Sequence, residues 1–195
     1  QDVGPRPDAK IEKIAKMKPY FDKKLGSVTI ANSCGITDGA AMLVLMEADK
    51  AAAEGYKPIA RLVGTSFQGC DPLRMGLGPV HAIAAVLQGT GLQLSDIDRV
   101  ELNEAFAAQV LACQAALGSR SYCEKVGFPT VPGPIDEDRL NPLGGAIALG
   151  HPVGCTGSRL IVTALHELER QDKQTALVTM CCGAAVGTGT IIERI

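Results

Sequence analysis

Tryptophan is absent from the 195 residues, and aromatic side chains make up only 4%. The interior must therefore be closed by Ala, Val, Ile and Leu, packed tightly with the help of 22 glycines. No apolar run is long enough to span a bilayer. There is no excess of either charge: 19 Lys and Arg face 21 Asp and Glu, a net charge of −2, so the electrostatic footprint of a nucleic-acid-binding surface is missing. The seven cysteines are odd in number and lack the paired spacing of a metal site. Scattered through apolar segments, they read as thiols in a reducing compartment rather than a disulfide scaffold. No signal or transit segment is recognisable, although the chain starts at Gln1 rather than Met. What remains is a globular composition, 46% hydrophobic and 21% charged, with length for one large domain or two small ones.

The stretch from Gly144 to Gly157 organises the rest. It opens as an apolar run, turns sharply at Gly150-His151-Pro152 and runs on toward a helix. Leu160, Ile161, Ala164, Leu165 and Leu168 share one stripe at helical spacing, which predicts that helix over 157–170 with Thr156 as its N-cap. A lone His between Gly and Pro beside a helix start is well placed to point an imidazole into a cleft, and His titrates nearest neutrality. The plainer alternative is a turn histidine bonded to backbone. Upstream, the pattern predicts a loop at 1–7 and a helix over 9–17 capped by Asp8. Strands are expected at 27–30, 39–46 (buried on both faces) and 59–65, with a helix over 47–54 stopped by Gly55. A loop at 68–79, a helix over 81–88 closed by Gly89 and Gly91, a strand at 100–102 and a helix over 105–117 follow. Residues 118–143, with Pro129, Pro132, Pro134 and Pro142, show no regular pattern. Strands at 175–179 and 186–192 flank Cys181-Cys182-Gly183-Ala184-Ala185.

Alternating strands and helices predict an α/β layered fold with ligands at loops beyond strand ends. Three loops then stand together: Asn103-Glu104, Gly150-His151-Pro152 (each read as lying between strand and helix) and Cys181-Cys182-Gly183. Asn, His and Cys on converging loops suit acyl chemistry. The Asn amide can orient a water or donate to an oxyanion, the His can move a proton, and a nearby thiol can act as base or nucleophile. Each has a plainer reading: Asn103 as a helix cap, Cys181 and Cys182 as small core filler.

Asn103-Glu104-Ala105-Phe106-Ala107-Ala108-Gln109 matches the Asn-Glu-Ala-Phe motif of the thiolase family. Gly144 to Gly157 closely resembles that family's Gly-Gly-Ala-Ile-Ala-Leu-Gly-His-Pro motif, and Cys181-x-Gly183 its carboxy-terminal Cys-x-Gly. Arg6-Pro7-Asp8, Asn32 to Ala41, Met75-Gly76-Leu77-Gly78-Pro79 and Asp96-Ile97-Asp98 add resemblances in family order, so that nearly all of the chain is covered.

The resemblance implies a thiolase-like layered α/β fold, a mixed five-stranded sheet flanked by helices, with the family's amino-terminal half missing. Residues 1–55 would form the end of the loop region and the closing segment of the amino-terminal domain; residues 56–195 would form the carboxy-terminal domain. The implied activity is that of an acyl-CoA acyltransferase of fatty acid metabolism, which cleaves 3-oxoacyl-CoA with CoA or runs the reverse Claisen condensation. In the family, a nucleophilic Cys in the amino-terminal half carries the acyl group. His151 stands where the family's histidine activates that Cys and polarises the thioester oxygen. Asn103 stands where a water is held in the same oxyanion hole. Cys181 matches the second cysteine, which moves the proton at the substrate α-carbon or on the CoA sulfur, and the Gly183 N–H would serve a second oxyanion hole. Met75 and Phe106 fall where the family lines its pantetheine and acyl channel, and Ser33 and Cys34 where a small polar stretch lies against CoA. CoA and acyl-CoA are substrates; no cofactor and no metal is implied. The expected partners are the amino-terminal half and further copies of the complete enzyme, as a dimer or tetramer, in a cytoplasmic, mitochondrial or peroxisomal setting.

The chain also departs from the family. Ala184-Ala185 replaces Gly-Gly, Leu143 replaces a frequent Asn, residues 118–140 are longer than usual, and Cys182 beside Cys181 leaves open which thiol acts. Without the nucleophile, the alternative is a non-catalytic thiolase-like module that binds acyl-CoA or assembles with a partner.

Overall fold

The computed structural model describes residues 4–195, so the first three residues of the loop expected at 1–7 lie outside the described residues. Four strands form one mixed sheet: β1 (Ala60–Gly69), β2 (Arg99–Leu102), β3 (Thr175–Cys182) and β4 (Val186–Arg194), in the order β1-β4-β3-β2. β4 runs antiparallel to both neighbours, while β2 and β3 are parallel, with Leu102 opposite Thr179. The expected mixed sheet is present, and Leu140 adds a single bridge to Val100 on the far side of β2 in place of a fifth full strand.

The helices are α1 (Ile11–Ile14), α2 (Ala48–Ala53), α3 (Gly78–Thr90), α4 (Ala107–Leu117), α5 (Arg120–Val126), α6 (Ala146–Leu149) and α7 (Thr156–Arg170). One face of the sheet is covered by α3, whose Val80, Ile83, Val86 and Leu87 meet Val100, Leu102, Leu177 and Ile191 in one buried cluster with Leu117 of α4. The opposite face is covered by α7, where Leu160, Ala164 and Leu168, one turn apart, bury against Ala176, Val178 and Ile192. Two aliphatic layers on one sheet thus do the work that large aromatics do elsewhere. No helix among the described residues is long and apolar enough to cross a membrane.

Where the structure departs from the sequence pattern, the cause is a missing or an unforeseen partner. The helix expected over 9–17 shrinks to Ile11–Ile14 with Lys10 rather than Asp8 at its N-cap, because its apolar side is thinly covered: Ile11 stays exposed and Ile14 is only half-buried. Residues 27–30 and 39–46 are irregular or extended but join no ladder among the described residues, and Met42, Val44 and Leu45 are exposed rather than buried on both faces. The loop expected at 68–79 shortens, since β1 continues to Gly69 and a 3₁₀ turn, Pro72–Leu77, is capped by the Asp71 carboxylate accepting from Leu73 N–H at 3.0 Å. The irregular stretch 118–143 contains α5, started by the Ser119 hydroxyl accepting from Tyr122 N–H and stopped by Gly127 in the left-handed region. The apolar run before His151 is the one-turn helix α6, not a strand. Thr156 is the first residue of α7 rather than its cap, a position held by Cys155.

The turn between β3 and β4 puts Ala184 and Ala185 at φ of 62° and 59°. A Cβ in this region costs roughly 1–2 kcal/mol per residue, offset by about 0.4–1 kcal/mol of the extra unfolded-chain freedom that Gly brings. Replacing both by Gly is therefore expected to raise stability by about 1 kcal/mol, read as a higher urea midpoint at unchanged slope. A lower midpoint would show that the two methyl groups hold the turn together.

Candidate functional site

The parallel pairing of β2 and β3 brings their carboxyl ends side by side. Leu102 lies opposite Thr179, so Asn103 leaves β2 next to the last residues of β3, and its N–H donates to the Thr179 carbonyl at 3.0 Å. Cys181 follows two residues later, paired with Gly187. Asn103 is only 1% exposed, and among the described residues neither its amide oxygen nor its amide nitrogen has a hydrogen-bond partner. It caps no helix: Phe106 holds the N-cap of α4. A buried amide with both ends unpaired is costly unless something else occupies its reach.

His151 is brought to this edge by its loop. Its N–H donates to the Gly35 carbonyl at 2.9 Å. Gly150 before it has a φ of 95°, and a β-carbon there would overlap the Thr37 side chain, so glycine is required twice over. The Thr156 hydroxyl donates to the Pro152 carbonyl at 3.0 Å, and its oxygen lies 2.6 Å from His151 Nδ1. A hydroxyl has one proton; with that proton on Pro152, the oxygen accepts from Nδ1–H. The tautomer assigned from this network leaves Nε2 unprotonated and free to act. Burial, and secondarily the Arg159 charge, hold the imidazole below its ordinary value of 6.5, so it is neutral at pH 7.

Cys181 is buried, and burial is the main reason its thiol is pushed above the ordinary value of 9.0; Cys182, Cys34 and Cys70 lie within its electrostatic reach. Cys182, on the other face of the strand, is half-buried. Gly183 is exposed in the turn. That turn is fastened to β1's end, where the Cys70 N–H and thiol both donate to the Ala185 carbonyl, at 2.9 and 3.4 Å.

The segment 32–35 ties the Asn103 and His151 loops together. Cys34 N–H donates to the Ala105 carbonyl at 3.1 Å, Ala107 N–H to the Asn32 carbonyl at 2.9 Å, and Ser33 bridges Phe106. Ser33 gives its own hydroxyl proton to the Thr29 carbonyl at 2.6 Å. Phe106 meets Phe21 edge-on at 6.4 Å between centroids. Met75 lies in the 3₁₀ turn, partly exposed, its carbonyl facing the Cys70 thiol at 3.8 Å; it is tied to the β3–β4 turn through Cys70, not to the His151 loop. An open groove of about 340 Å³ lies between residues 37–41 and 152–155, next along the chain from His151, which does not itself line it.

Three residues escaped the sequence pattern. Thr156 fixes the imidazole. Glu104 accepts from Asn141 Nδ2 at 3.0 Å and from Ile147 N–H at 3.3 Å. Glu101, buried on β2 within 4.0 Å of Arg159, is pushed up to about 7 by burial, with the Arg159 charge opposing and those of Glu104 and Glu167 adding. The only signal in the sequence was position: all three lie within or beside the motifs already marked.

The arrangement among the described residues is a neutral imidazole with a free nitrogen on the loop after α6, a buried amide without partners just beyond β2, and a buried thiol near the end of β3 rather than in the loop expected there. Comparison with known proteins gives it a family. Residues 56–194 match the family model described as the thiolase C-terminal domain, and residues 1–49 the thiolase N-terminal domain. The chain is 45% identical over 194 residues to a beta-ketothiolase of Cupriavidus necator and 44% identical over 195 residues to an acetyl-CoA acetyltransferase of Escherichia coli, spanning 100% of its own length and 45% of theirs. It superposes on the acetyl-CoA acetyltransferase of Bacillus anthracis with a TM-score of 0.86 at 40% identity, and on human mitochondrial 3-ketoacyl-CoA thiolase in complex with CoA with a TM-score of 0.83 at 38% identity. In both cases it covers 100% of this chain and 45% of the other. The chain belongs to the thiolase family.

Proposed function

We propose that this chain supplies the His, Cys and Asn part of a thiolase active site in an acyl-CoA acyltransferase, completed by an amino-terminal half that carries the nucleophilic Cys. In this reading residues 1–55 close the amino-terminal domain, residues 56–195 form the carboxy-terminal domain, and the complete enzyme is a homo-oligomer. The observation that carries it is Asn103: a buried amide with both ends unpaired, held at the strand end beside the His151 loop and Cys181. CoA as substrate is supported by the likeness to a human thiolase solved with CoA.

The chemistry follows from the protonation states. Nε2 of His151 takes the proton from the nucleophilic thiol, and the thiolate attacks the 3-oxo carbon of the substrate. The C2–C3 bond breaks; the acyl group stays on the nucleophile, and the electron pair moves into the thioester as an enolate. His151 now carries Nε2–H and donates it to that enolate oxygen, together with a water held by the Asn103 amide. Cys181, a thiol at neutral pH because it is buried, gives its proton to C2 and releases acetyl-CoA. Its thiolate then takes the proton from the CoA sulfur, which attacks the acyl group and frees the nucleophile as a thiolate, with the Gly183 N–H donating to the second oxyanion; His151 returns its Nε2 proton to that thiolate. Met75, Phe106, Ser33 and Cys34 line the CoA approach.

The 195-residue chain by itself is expected to show no turnover. Cys34 is no substitute nucleophile: Asn32-Ser33-Cys34-Gly35 resembles the family's later Asn-Ala-Ser-Gly stretch, and burial pushes its thiol up, not down. The assay is loss of acetoacetyl-CoA enolate absorbance in the presence of CoA. Turnover accompanied by an acid-labile acyl adduct on Cys34 would overturn both that exclusion and the need for another half.

A further inference from the structure

We propose that Glu104 is a positioning residue whose carboxylate ties the loop carrying His151 to the strand end carrying Asn103, and so sets these two groups relative to each other. The inference rests on the acyl-transfer reading of Asn103 and His151.

Glu104 is the residue after Asn103, and its two oxygens serve different pieces of chain. Oε1 accepts from Asn141 Nδ2 at 3.0 Å; Oε2 accepts from Ile147 N–H at 3.3 Å, in the one-turn helix that leads straight into Gly150 and His151. Asn141 is itself locked to the residue before Asn103. Its Oδ1 accepts from Leu102 N–H at 2.8 Å and its Nδ2 donates to the Leu102 carbonyl at 2.9 Å. Asn103 is thus flanked on both sides by residues of one network whose far end is the His151 loop. Asn141 adopts a φ of 45° to do this, a conformation that Asn tolerates better than most side chains.

Gly145 makes room for the network. A β-carbon there would coincide with the Glu104 carboxyl group, so the side chain lies directly on the bare backbone of Gly145. Among the described residues no lysine or arginine pairs with Glu104; its hydrogen bonds come from the Asn141 amide and the Ile147 N–H. The carboxylate is therefore spent on joining two loops. The segment 32–35 makes a second tie, but through backbone alone and from a different side.

The test uses the 195-residue chain and needs no turnover. Amide hydrogen exchange at Ile147 and the NMR titration of the His151 imidazole are followed in Glu104→Ala, Glu104→Gln and Gly145→Ala. Loss of a hydrogen bond to a charged acceptor is worth more than a factor of ten in local opening, so Ile147 exchange is expected to speed at least tenfold in Glu104→Ala. The His151 midpoint, depressed mainly by burial and secondarily by Arg159, is expected to rise toward 6.5 as the loop loosens. Glu104→Gln should fall between, because an amide offers one acceptor to two donors. Gly145→Ala should mimic Glu104→Ala, because its methyl group displaces the carboxyl. Wild-type exchange and an unmoved His151 midpoint in a folded Glu104→Ala chain would overturn the proposal. If Glu104→Ala does not fold by circular dichroism, wild-type behaviour of Glu104→Gln overturns it equally. In the complete enzyme, an unchanged turnover in His151→Ala would sink the acyl-transfer reading and leave the clamp standing.

Discussion

His151→Ala in the complete enzyme is expected to slow acylation of the nucleophile by about a hundredfold to ten-thousandfold, the range set by loss of a positioned general base. The effect comes from one atom. The Thr156 oxygen holds Nδ1–H at 2.6 Å, which leaves Nε2 as the nitrogen to take the nucleophile's proton in the proposed reaction. The tautomer predicts a milder companion: Thr156→Val keeps the imidazole but frees its orientation, and should lose less than His151→Ala. The pH profile has a definite sign. The free base is lost as pH falls through the imidazole pKa, which burial holds below 6.5, so acylation should fall on the acid side with a midpoint below 6.5. Mass spectrometry of the acyl adduct formed from acetyl-CoA, taken at short times, reads the step directly. Wild-type acylation in His151→Ala would remove His151 from the mechanism.

The elements that were legible in the sequence are those whose partners are local or repeat at a fixed spacing. The stripe of Leu160, Ala164 and Leu168 made α7 readable, and Gly91 at a φ of 74° closes α3 in the expected way. The short apolar run 144–149 could not be read, since six residues fit a buried strand or a helical turn equally, and what decides is Glu104, more than forty residues away. The run 39–46 misled for the opposite reason: a strand is defined by its neighbours, and no described strand pairs with this one. At the site, the side chains proposed to carry chemistry were legible from their motifs, whereas the roles of those that hold them in place were not. Asn141 reaches Leu102 across 39 residues, and nothing in the sequence around either announces the other. Positioning groups are legible only once the chain has folded them together.

Cys181→Ser separates the two halves of the reaction. In the complete enzyme it is expected to form the acyl-enzyme from acetyl-CoA at close to the normal rate, yet to exchange the α-protons about a hundredfold more slowly or worse. Cys181 is buried and paired opposite Gly187, with Cys182, Cys34 and Cys70 within its electrostatic reach. A serine hydroxyl fits the space but is a far weaker acid than even a thiol raised by burial, so proton transfer fails while packing survives. Cys182→Ser provides the internal control, because strand alternation turns its side chain to the other face. Deuterium uptake at the acetyl methyl and the mass of the acyl adduct are read side by side. If Cys182→Ser stopped exchange while Cys181→Ser did not, the acting thiol would be the neighbour, and the Cys-x-Gly register would shift by one. If neither substitution slowed exchange, both cysteines would be core filler in a turn, and the α-proton would have to move through His151.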